Sequence, residues 1–285
     1  MKRFPDWLRK SRIPGAVTFT SQSISRKNLH TVCESAKCPN LQECWSQRTA
    51  TFMILGDVCT RKCGFCAIQV GKPLFVDQAE PEHVAESAAE LGLKHVVVTS
   101  VARDDLKDGG AEQFARTIRA IRNRLPESTI EVLTPDFKGD FAALDIVGEA
   151  EPDIFNHNIE TVRRLSPDVR SPNADYDRSL RVLGYVKETY PEIMTKSGMM
   201  VGLGESRPEV LQSFQDLRDH HCDILTVGQY LQPNADKLFI KEFISPDEFQ
   251  VYEKEARSLG FCEVFCGPYV RSSYHAGEIS QKVLT

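Results

Sequence analysis

The chain has 285 residues, 41% hydrophobic and 26% charged, with 17 Gly and 15 Pro; these globular proportions exclude collagen-like and disordered classes, and the length allows one large domain or two small ones. Lys and Arg number 35 against 40 Asp and Glu, a net charge of −5, which argues against a general nucleic-acid binder. No apolar run approaches the ~18 residues of a membrane helix and Met1–Leu8 lacks the apolar core of a secretory signal, so a cytoplasmic protein with no membrane or nucleic-acid partner is expected.

Residues 1–30 are basic: Lys2, Arg3, Arg9, Lys10, Arg12, Arg26 and Lys27 stand against Asp6 alone. Such an arm on an acidic body is either a loose extension resting on its own domain or a contact surface for an acidic partner, since charge complementarity speeds association. Cysteines follow. Six of the nine fall within residues 33–66, as Cys33-x4-Cys38-x5-Cys44 and Cys59-x3-Cys63-x2-Cys66. An odd total in a chain without an export signal argues against a disulfide framework. Structural zinc sites pair close cysteines twice to give four ligands, and only Cys63-x2-Cys66 has that look. Three thiolates suit an iron–sulfur cube with one iron left open for another ligand.

Between the triads, Thr51–Leu55 is a short apolar strand ended by Gly56-Asp57. After the second triad, strands and helices alternate. Helical patterns are predicted over 81–91, 110–125, 140–147, 176–189, 207–219 and 246–259. Strands are predicted over 94–99, 129–133, 153–155, 194–201 and 224–227, with a terminal one over 262–265. That alternation implies parallel βαβ units and a barrel-like sheet, open or closed, with its chemistry on the loops after the strands. The second triad follows the first strand and so falls where a barrel active site belongs. His220-His221-Cys222 at a helix–strand junction and Cys262-x3-Cys266 beside the terminal strand read as structural. Gly202 and Gly204 after the fifth strand suit close backbone approach to a ligand.

Cys59-Thr-Arg-Lys-Cys63-Gly-Phe-Cys66 resembles the CxxxCxxC signature of radical S-adenosylmethionine (SAM) enzymes. Cys33-Glu-Ser-Ala-Lys-Cys38-Pro-Asn-Leu-Gln-Glu-Cys44 resembles the auxiliary-cluster motif of one family among them, the lipoyl synthases, and Arg271-Ser272-Ser273-Tyr274 resembles that family's terminal motif. Pro5–Lys10 and Asn156–Thr161 fit as well, so the resemblance runs from Arg3 to His275. It implies a partial (β/α)6 TIM-like barrel over 51–267, an N-terminal extension over 1–50 carrying the auxiliary-cluster motif, and a C-terminal segment over 268–285.

The resemblance also implies an activity. Cys59, Cys63 and Cys66 would hold a 4Fe-4S cluster that binds SAM. Cys33, Cys38, Cys44 and a serine, Ser273 in preference to Ser272, would hold a second 4Fe-4S cluster. Reductive cleavage of SAM would give a 5′-deoxyadenosyl radical that removes hydrogen from carbons 6 and 8 of an octanoyl chain on a carrier-domain lysine. The auxiliary cluster would then supply the sulfur. An unactivated methylene has no acidic proton or leaving group for acid–base or nucleophilic chemistry, so a cofactor-borne radical is the sensible route. Serine is a harder, less matched iron ligand than thiolate, apt for a cluster that is dismantled. Implied partners are octanoylated lipoyl carrier domains (the E2 subunits of 2-oxoacid dehydrogenases, the glycine cleavage H protein) and a low-potential donor such as ferredoxin or flavodoxin.

For SAM itself, Asn158 and Glu160 match a ribose-binding segment of the related biotin synthase, and a carboxylate suits ribose hydroxyls. Arg170 suits the SAM carboxylate, against the alternative of a surface charge in a Pro-rich loop. Thr99 and Ser100 suit the SAM amino group, against a plain strand-end turn. His30 and His275 flank the auxiliary motifs without being read as ligands. Two competing readings are another radical SAM sulfur-transfer enzyme of the biotin synthase or methylthiotransferase type, and a zinc-stabilised binding protein.

Overall fold

Runs of β-branched and apolar residues separated by amphipathic helices build a wound parallel sheet in the computed structural model, which describes residues 4–9, 18–47, 49–274 and 276–277. The strands are β1 (His30–Thr31), β2 (Thr51–Ile54), β3 (Val58–Cys59), β4 (Gln69–Val70), β5 (His95–Ser100), β6 (Thr129–Leu133), β7 (Ile154–Asn156), β8 (Met194–Val201), β9 (Ile224–Gln229) and β10 (Glu263–Gly267). The main sheet runs β1-β2-β5-β6-β7-β8-β9-β10. Only β1 is antiparallel to its neighbour; the β2 to β10 series is parallel throughout. No pairing joins β10 back to β2 among the described residues, so the barrel is partial, with six βα units and a closing seventh parallel strand.

The helices are α1 (Thr18–Arg26), α2 (Val32–Ser35), α3 (Leu41–Ser46), α4 (Glu80–Leu91), α5 (Ala111–Arg124), α6 (Phe141–Gly148), α7 (Ser166–Val169), α8 (Tyr176–Thr189), α9 (Arg207–Asp219) and α10 (Pro246–Ser258). Their ends follow local chemistry. Ser206 and Glu209 form a reciprocal capping box on α9, satisfying backbone donors that helix geometry leaves unpaired. Asp175 accepts from Arg178 N at the start of α8. Gly92 closes α4 in the left-handed conformation at φ 67°, where a Cβ would be strained. Parallel strands covered by helices must be apolar on both faces, and Val96, Val98, Ile130, Val132 and Phe155 are fully buried.

The barrel interior is not purely apolar. Lys196 Nζ donates to Glu131 Oε1 and Oε2 at 2.9 and 3.0 Å, with neither side chain exposed. Asn156 Nδ2 adds a bond to Glu131 Oε1 at 2.9 Å. Burial alone would push the Glu131 carboxyl up, but Lys196 and His95 outweigh it and hold it well below the usual carboxylate range.

The extension before β2 is less loose than a basic arm suggests. Lys27 reaches Glu90 at 2.6 Å and Glu86 at 3.6 Å on α4, and Ser23 Oγ donates to Glu90 at 2.7 Å. Arg9 pairs with Asp6; Lys10 and Arg12 lie outside the described residues, as does His275. Cys222 is buried, as a structural cysteine should be, whereas Cys262 is exposed. The Gly202 position is filled by the chain itself. A Cβ there would meet Gln229 Nε2 at 2.2 Å and Glu242 O at 2.5 Å, and Glu205 accepts from Gly202 N and Leu203 N. Close packing on β9 and its loop accounts for that glycine without a ligand.

Candidate active site

The second triad follows β2, with Cys59 at the end of the short strand β3 and Cys63 and Cys66 on the loop between β3 and β4. Its backbone is riveted to the loop after β5: Thr60 N and Oγ1 both donate to Ala102 O, at 3.1 and 2.9 Å, and Asp104 N donates to Thr60 Oγ1 at 3.0 Å. Arg61, inside the triad, is the main anchor. Its Nε and Nη2 grip Asp104 at 2.8 Å each, and Nη2 also meets Asp136 Oδ1 at 2.7 Å. Planar guanidinium forks suit such bidentate pairing. Burial opposes charge on both partners, yet the pairing wins: Asp136 is held down at about 2. A short N–H···S bond runs from Arg61 N to Cys59 Sγ at 3.4 Å.

Glu160 and Arg170 face this loop. Glu160 sits at φ 68°, a costly region for a residue with a Cβ, held by Glu160 N to Gly198 O and Met200 N to Glu160 O. Burial raises its carboxyl, countered in part by Arg170 and Asn158. Arg170 is only 7% exposed, so it is not a surface charge despite its Pro-rich loop. Its Nη1 donates to Ser179 Oγ at 2.9 Å, and its charge acts on Cys63 and Glu160. Beside it, His157 Nδ1 lies 2.9 Å from Thr134 O and Nε2 2.9 Å from Ser179 Oγ. A carbonyl only accepts, so Nδ1 carries the proton. Burial and then Arg170 push His157 down to about 4, so the ring is neutral at pH 7.

Of the two candidate residues at the end of β5, the structure separates the roles. Thr99 Oγ1 donates to Leu133 O at 2.9 Å, while Ser100 Oγ is buried without a partner. Asn158 Nδ2 donates to Glu160 Oε1 and Ser272 Oγ at 3.2 and 2.9 Å, and its buried Oδ1 has no partner. Buried polar atoms are normally paired; two orphans at this mouth are what a polar co-substrate would satisfy.

The first triad is spread over α2, the turn after it and α3, and the C-terminal turn folds onto it. Tyr274 Oη donates to Glu43 Oε1 at 2.8 Å, and Asn40 Nδ2 donates to Tyr269 O at 2.8 Å. The Arg271 guanidinium is close enough to Cys38 for its charge to feel that thiol. This approach needs Gly228 on β9: a Cβ there would lie 2.1 Å from Val270 O. Ser272 is engaged by Asn158, whereas Ser273 has no hydrogen-bond partner among the described residues. The C-terminal turn therefore meets the first triad's segment through Tyr274 and Arg271, and through Ser272 and Asn158 it reaches Glu160, whose charge acts on Cys63 and Cys66.

Burial raises the thiols of Cys33 and Cys63 and lifts Cys66 to about 12. Thiolate is the ligating form, so loading metal must release protons. Among the described residues no three His, Cys, Asp or Glu side chains converge to hold a single metal ion. A four-iron cube asks for something else, because each thiolate binds its own iron at a corner. Mutually charge-coupled but spaced thiols fit a cube better than a zinc ion. The sequence alone singles out both triads, Thr99, Ser100, Asn158, Glu160, Arg170 and Ser273; it gives His157 only as part of the Asn156–Thr161 segment, and it does not mark the anchors Asp104 and Asp136. Arg61 carried a signal, lying inside CxxxCxxC.

The fold and this site define a class. The family model for the radical SAM superfamily matches residues 53–217, and the chain belongs to that superfamily. Solved structures share the fold at low identity: a methylornithine synthase (PylB) at TM-score 0.56 and 13% identity, over 89% of this chain and 72% of that one, and Streptococcus suis SuiB bound to S-adenosylmethionine at 0.57 and 11%, over 80% and 53%. Within the superfamily the match is much closer. The lipoyl synthase of Rubrobacter xylanophilus is 54% identical over 276 residues, 96% of this chain and 85% of that protein. That of Symbiobacterium thermophilum is 54% identical over 285 residues, 100% and 89%, and that of Geobacillus kaustophilus 55% over 278 residues, 97% and 93%. The chain is a member of the lipoyl synthase family.

Proposed function

We propose that this chain inserts two sulfur atoms at carbons 6 and 8 of an octanoyl group held on a lysine of a carrier domain, using SAM and two 4Fe-4S clusters. The observation that carries the reading is the C-terminal turn, which ties the Cys33–Cys44 triad to the Asn158–Glu160 segment beside the Cys59–Cys66 triad. A biotin synthase or methylthiotransferase reading leaves the first triad and this turn without a purpose.

When bound, the barrel cluster and SAM supply a hydrogen-abstracting radical, and the auxiliary cluster supplies sulfide. The chain's own residues position and exclude. Cys59, Cys63 and Cys66 are the ligands of the barrel cluster, on a loop that Arg61 fixes. Arg170 presents a charged guanidinium to the SAM carboxylate, Glu160 accepts from ribose hydroxyls, and the unsatisfied Asn158 Oδ1 and Ser100 Oγ take further polar atoms of SAM. Thr99, whose hydroxyl donates to Leu133 O, keeps lone pairs free to accept from the SAM amino group. Cys33, Cys38 and Cys44 with Ser273 hold the auxiliary cluster; Ser272 is assigned the tether to Asn158. Residues 1–50 serve as the auxiliary-cluster extension, 51–267 as the radical SAM barrel and 268–285 as its closing segment. The carriers are E2-type and H-protein-type lipoyl domains, the reductant a ferredoxin or flavodoxin, and the setting the cytoplasm. Among the described residues no helix is long and apolar enough to cross a membrane.

The test is anaerobic mass spectrometry of reconstituted protein with SAM, dithionite and an octanoyl-lysyl peptide. The expected product gains two sulfurs, as a dithiol or as a disulfide two hydrogens lighter, with 5′-deoxyadenosine alongside. Deoxyadenosine without sulfur insertion would overturn the substrate and the role given to the first triad.

A further inference from the structure

The arginines around the barrel mouth mostly spend their charge on carboxylates. Arg61 pairs with Asp104 and Asp136, Arg103 with Asp105, and Arg178 with Asp136. Arg170 does not. It is 7% exposed, and no carboxylate lies within ion-pair distance of it among the described residues. Its Nη1 donates instead to two neutral oxygens, Ser179 Oγ at 2.9 Å and Asp175 O at 3.4 Å. Glu160 and Asp136 act on it through their charge alone. A buried cation without a paired anion is costly, so this guanidinium is a charge held in reserve. Under the function proposed above, the SAM carboxylate is the anion that takes it.

What holds the guanidinium is also neutral. Ser179, in the first turn of α8, is fully buried. Its hydroxyl has one proton and two acceptors beside it, His157 Nε2 at 2.9 Å and Asp175 O at 3.1 Å, and it accepts from Arg170 with a lone pair. His157 is buried too and is braced on two sides. Its backbone N donates to Lys196 O on β8 at 2.9 Å, and its Nδ1 meets Thr134 O beyond β6 at 2.9 Å. The remaining ring nitrogen faces Ser179. The backbone at Arg170 is fixed separately, by the triad loop: Gly64 N donates to Val169 O at 2.9 Å. The loop thus places the Arg170 main chain, while Ser179 and the ring behind it set where the guanidinium points. A carboxylate in their place would hold Arg170 as firmly but neutralise it, and a charged imidazole would repel it; the neutral ring does neither.

We propose that His157 is a positioning residue for SAM: acting through Ser179, it fixes the Arg170 guanidinium in the orientation that meets the SAM carboxylate, without touching SAM itself. The inference rests on the assignment of Arg170 to that carboxylate. Its mechanism is restriction of a rotor. With the ring in place, the Ser179 oxygen is confined between Asp175 O, His157 Nε2 and Arg170 Nη1. Without it, the hydroxyl is free to turn, and the guanidinium loses its fixed partner and has to be ordered when SAM binds.

The test is the dissociation constant of radiolabelled SAM, by equilibrium dialysis against oxidised, reconstituted protein of known iron and sulfide content, so that no turnover enters the measurement. His157→Asn, which keeps a donor for Thr134 O but is too short to reach Ser179, and Ser179→Ala are each expected to weaken SAM binding about three- to tenfold, the worth of one hydrogen bond. The double variant is expected to be no weaker than either single one, because both remove the same link. His157→Gln, long enough to reach Ser179, is expected to recover the wild-type affinity. In turnover, KM for SAM rises in the two single variants while kcat at saturating SAM stays level. Unchanged affinity in both overturns the proposal; so does an additive double variant, or a His157→Gln as weak as His157→Asn. A merely structural ring would lower cluster content and the denaturation midpoint and leave SAM affinity per cluster unmoved. If His157→Asn fails to hold its clusters, Ser179→Ala, with the ring intact, decides alone. Arg170→Gln separates the two layers: it is expected to weaken SAM by more than about tenfold, and if it does not, the assignment of Arg170 to the carboxylate fails whatever the other variants do.

Discussion

The two cysteine triads are held in different ways. The barrel triad stands on a loop fixed by a buried guanidinium between two carboxylates and by three hydrogen bonds to the loop after β5. The first triad rides on helices of four and six residues, too short to be stable alone, and is closed by side-chain contacts with the C-terminal turn, among them the Asn40–Tyr269 and Tyr274–Glu43 hydrogen bonds. The difference matches the chemistry proposed for each. A cluster that performs the same electron transfer at every turnover profits from a rigid seat. A cluster that is spent as a sulfur source must be rebuilt, and a cover attached by a few separable bonds permits that.

The largest expected effect separates the triads by product. Cys63→Ser abolishes both deoxyadenosine formation and sulfur insertion, whereas Cys38→Ser abolishes only insertion and leaves SAM cleavage running. Product analysis of the two variants checks this, and identical losses would erase the functional distinction. The next effect concerns the seats. Arg61→Met takes the guanidinium from part-buried Asp104 and leaves buried Asp136 with Arg178 alone, costing about 3 kcal/mol, the lower end for a broken buried pair, seen as a lower denaturation midpoint. Tyr274→Phe removes one hydrogen bond, costing about 0.5–1.5 kcal/mol, and hastens iron loss from the auxiliary site alone. If Tyr274→Phe cost as much as Arg61→Met, the contrast between rigid and separable seats would be wrong.

A third effect is a pH slope on the barrel side. The His157 pKa in the fold, about 4, lies below its ordinary value, so between about pH 6.5 and 4 the unfolded chain binds a proton that the folded chain refuses. Stability then falls as pH falls through that window, with a slope of up to about 1.4 kcal/mol per pH unit. Below it, the depressed Asp136 and Glu131 carboxyls add a further loss as they approach about 2. Urea midpoints of the metal-free protein at pH 7 and pH 5 measure the slope, and His157→Gln should flatten it.

Much of the barrel was legible in the sequence. The predicted helices over 176–189 and 207–219 and the strands over 129–133 and 194–201 have the observed bounds, because their periodicity is uninterrupted and turn residues bound them. Both triads were legible because thiol spacing is a strong signal. The short helices around Cys33 and Cys44 were not, since four to six residues show no period and tertiary contacts hold them. Arg170 reads from the sequence as a partner for the SAM carboxylate, with a surface charge as the alternative because its Pro-rich neighbours resemble an exposed loop; its burial removes that alternative. The Glu131–Lys196 pair was invisible for a different reason: its members are 65 residues apart, and nothing local marks a charge as facing inward.

The bonds from Asn40 to Tyr269 and from Glu43 to Tyr274 span 229 and 231 residues. Their order along the chain has a consequence for biosynthesis. Cys33, Cys38 and Cys44 leave the ribosome early, and the turn that folds onto their segment leaves after every barrel strand. A nascent chain thus exposes this site throughout its own synthesis, giving a cluster-delivery protein its widest access before release. A finished molecule regains that access only by undocking the turn. First loading and later reloading of the same cysteines are therefore different kinetic problems, the first limited by delivery and the second by opening.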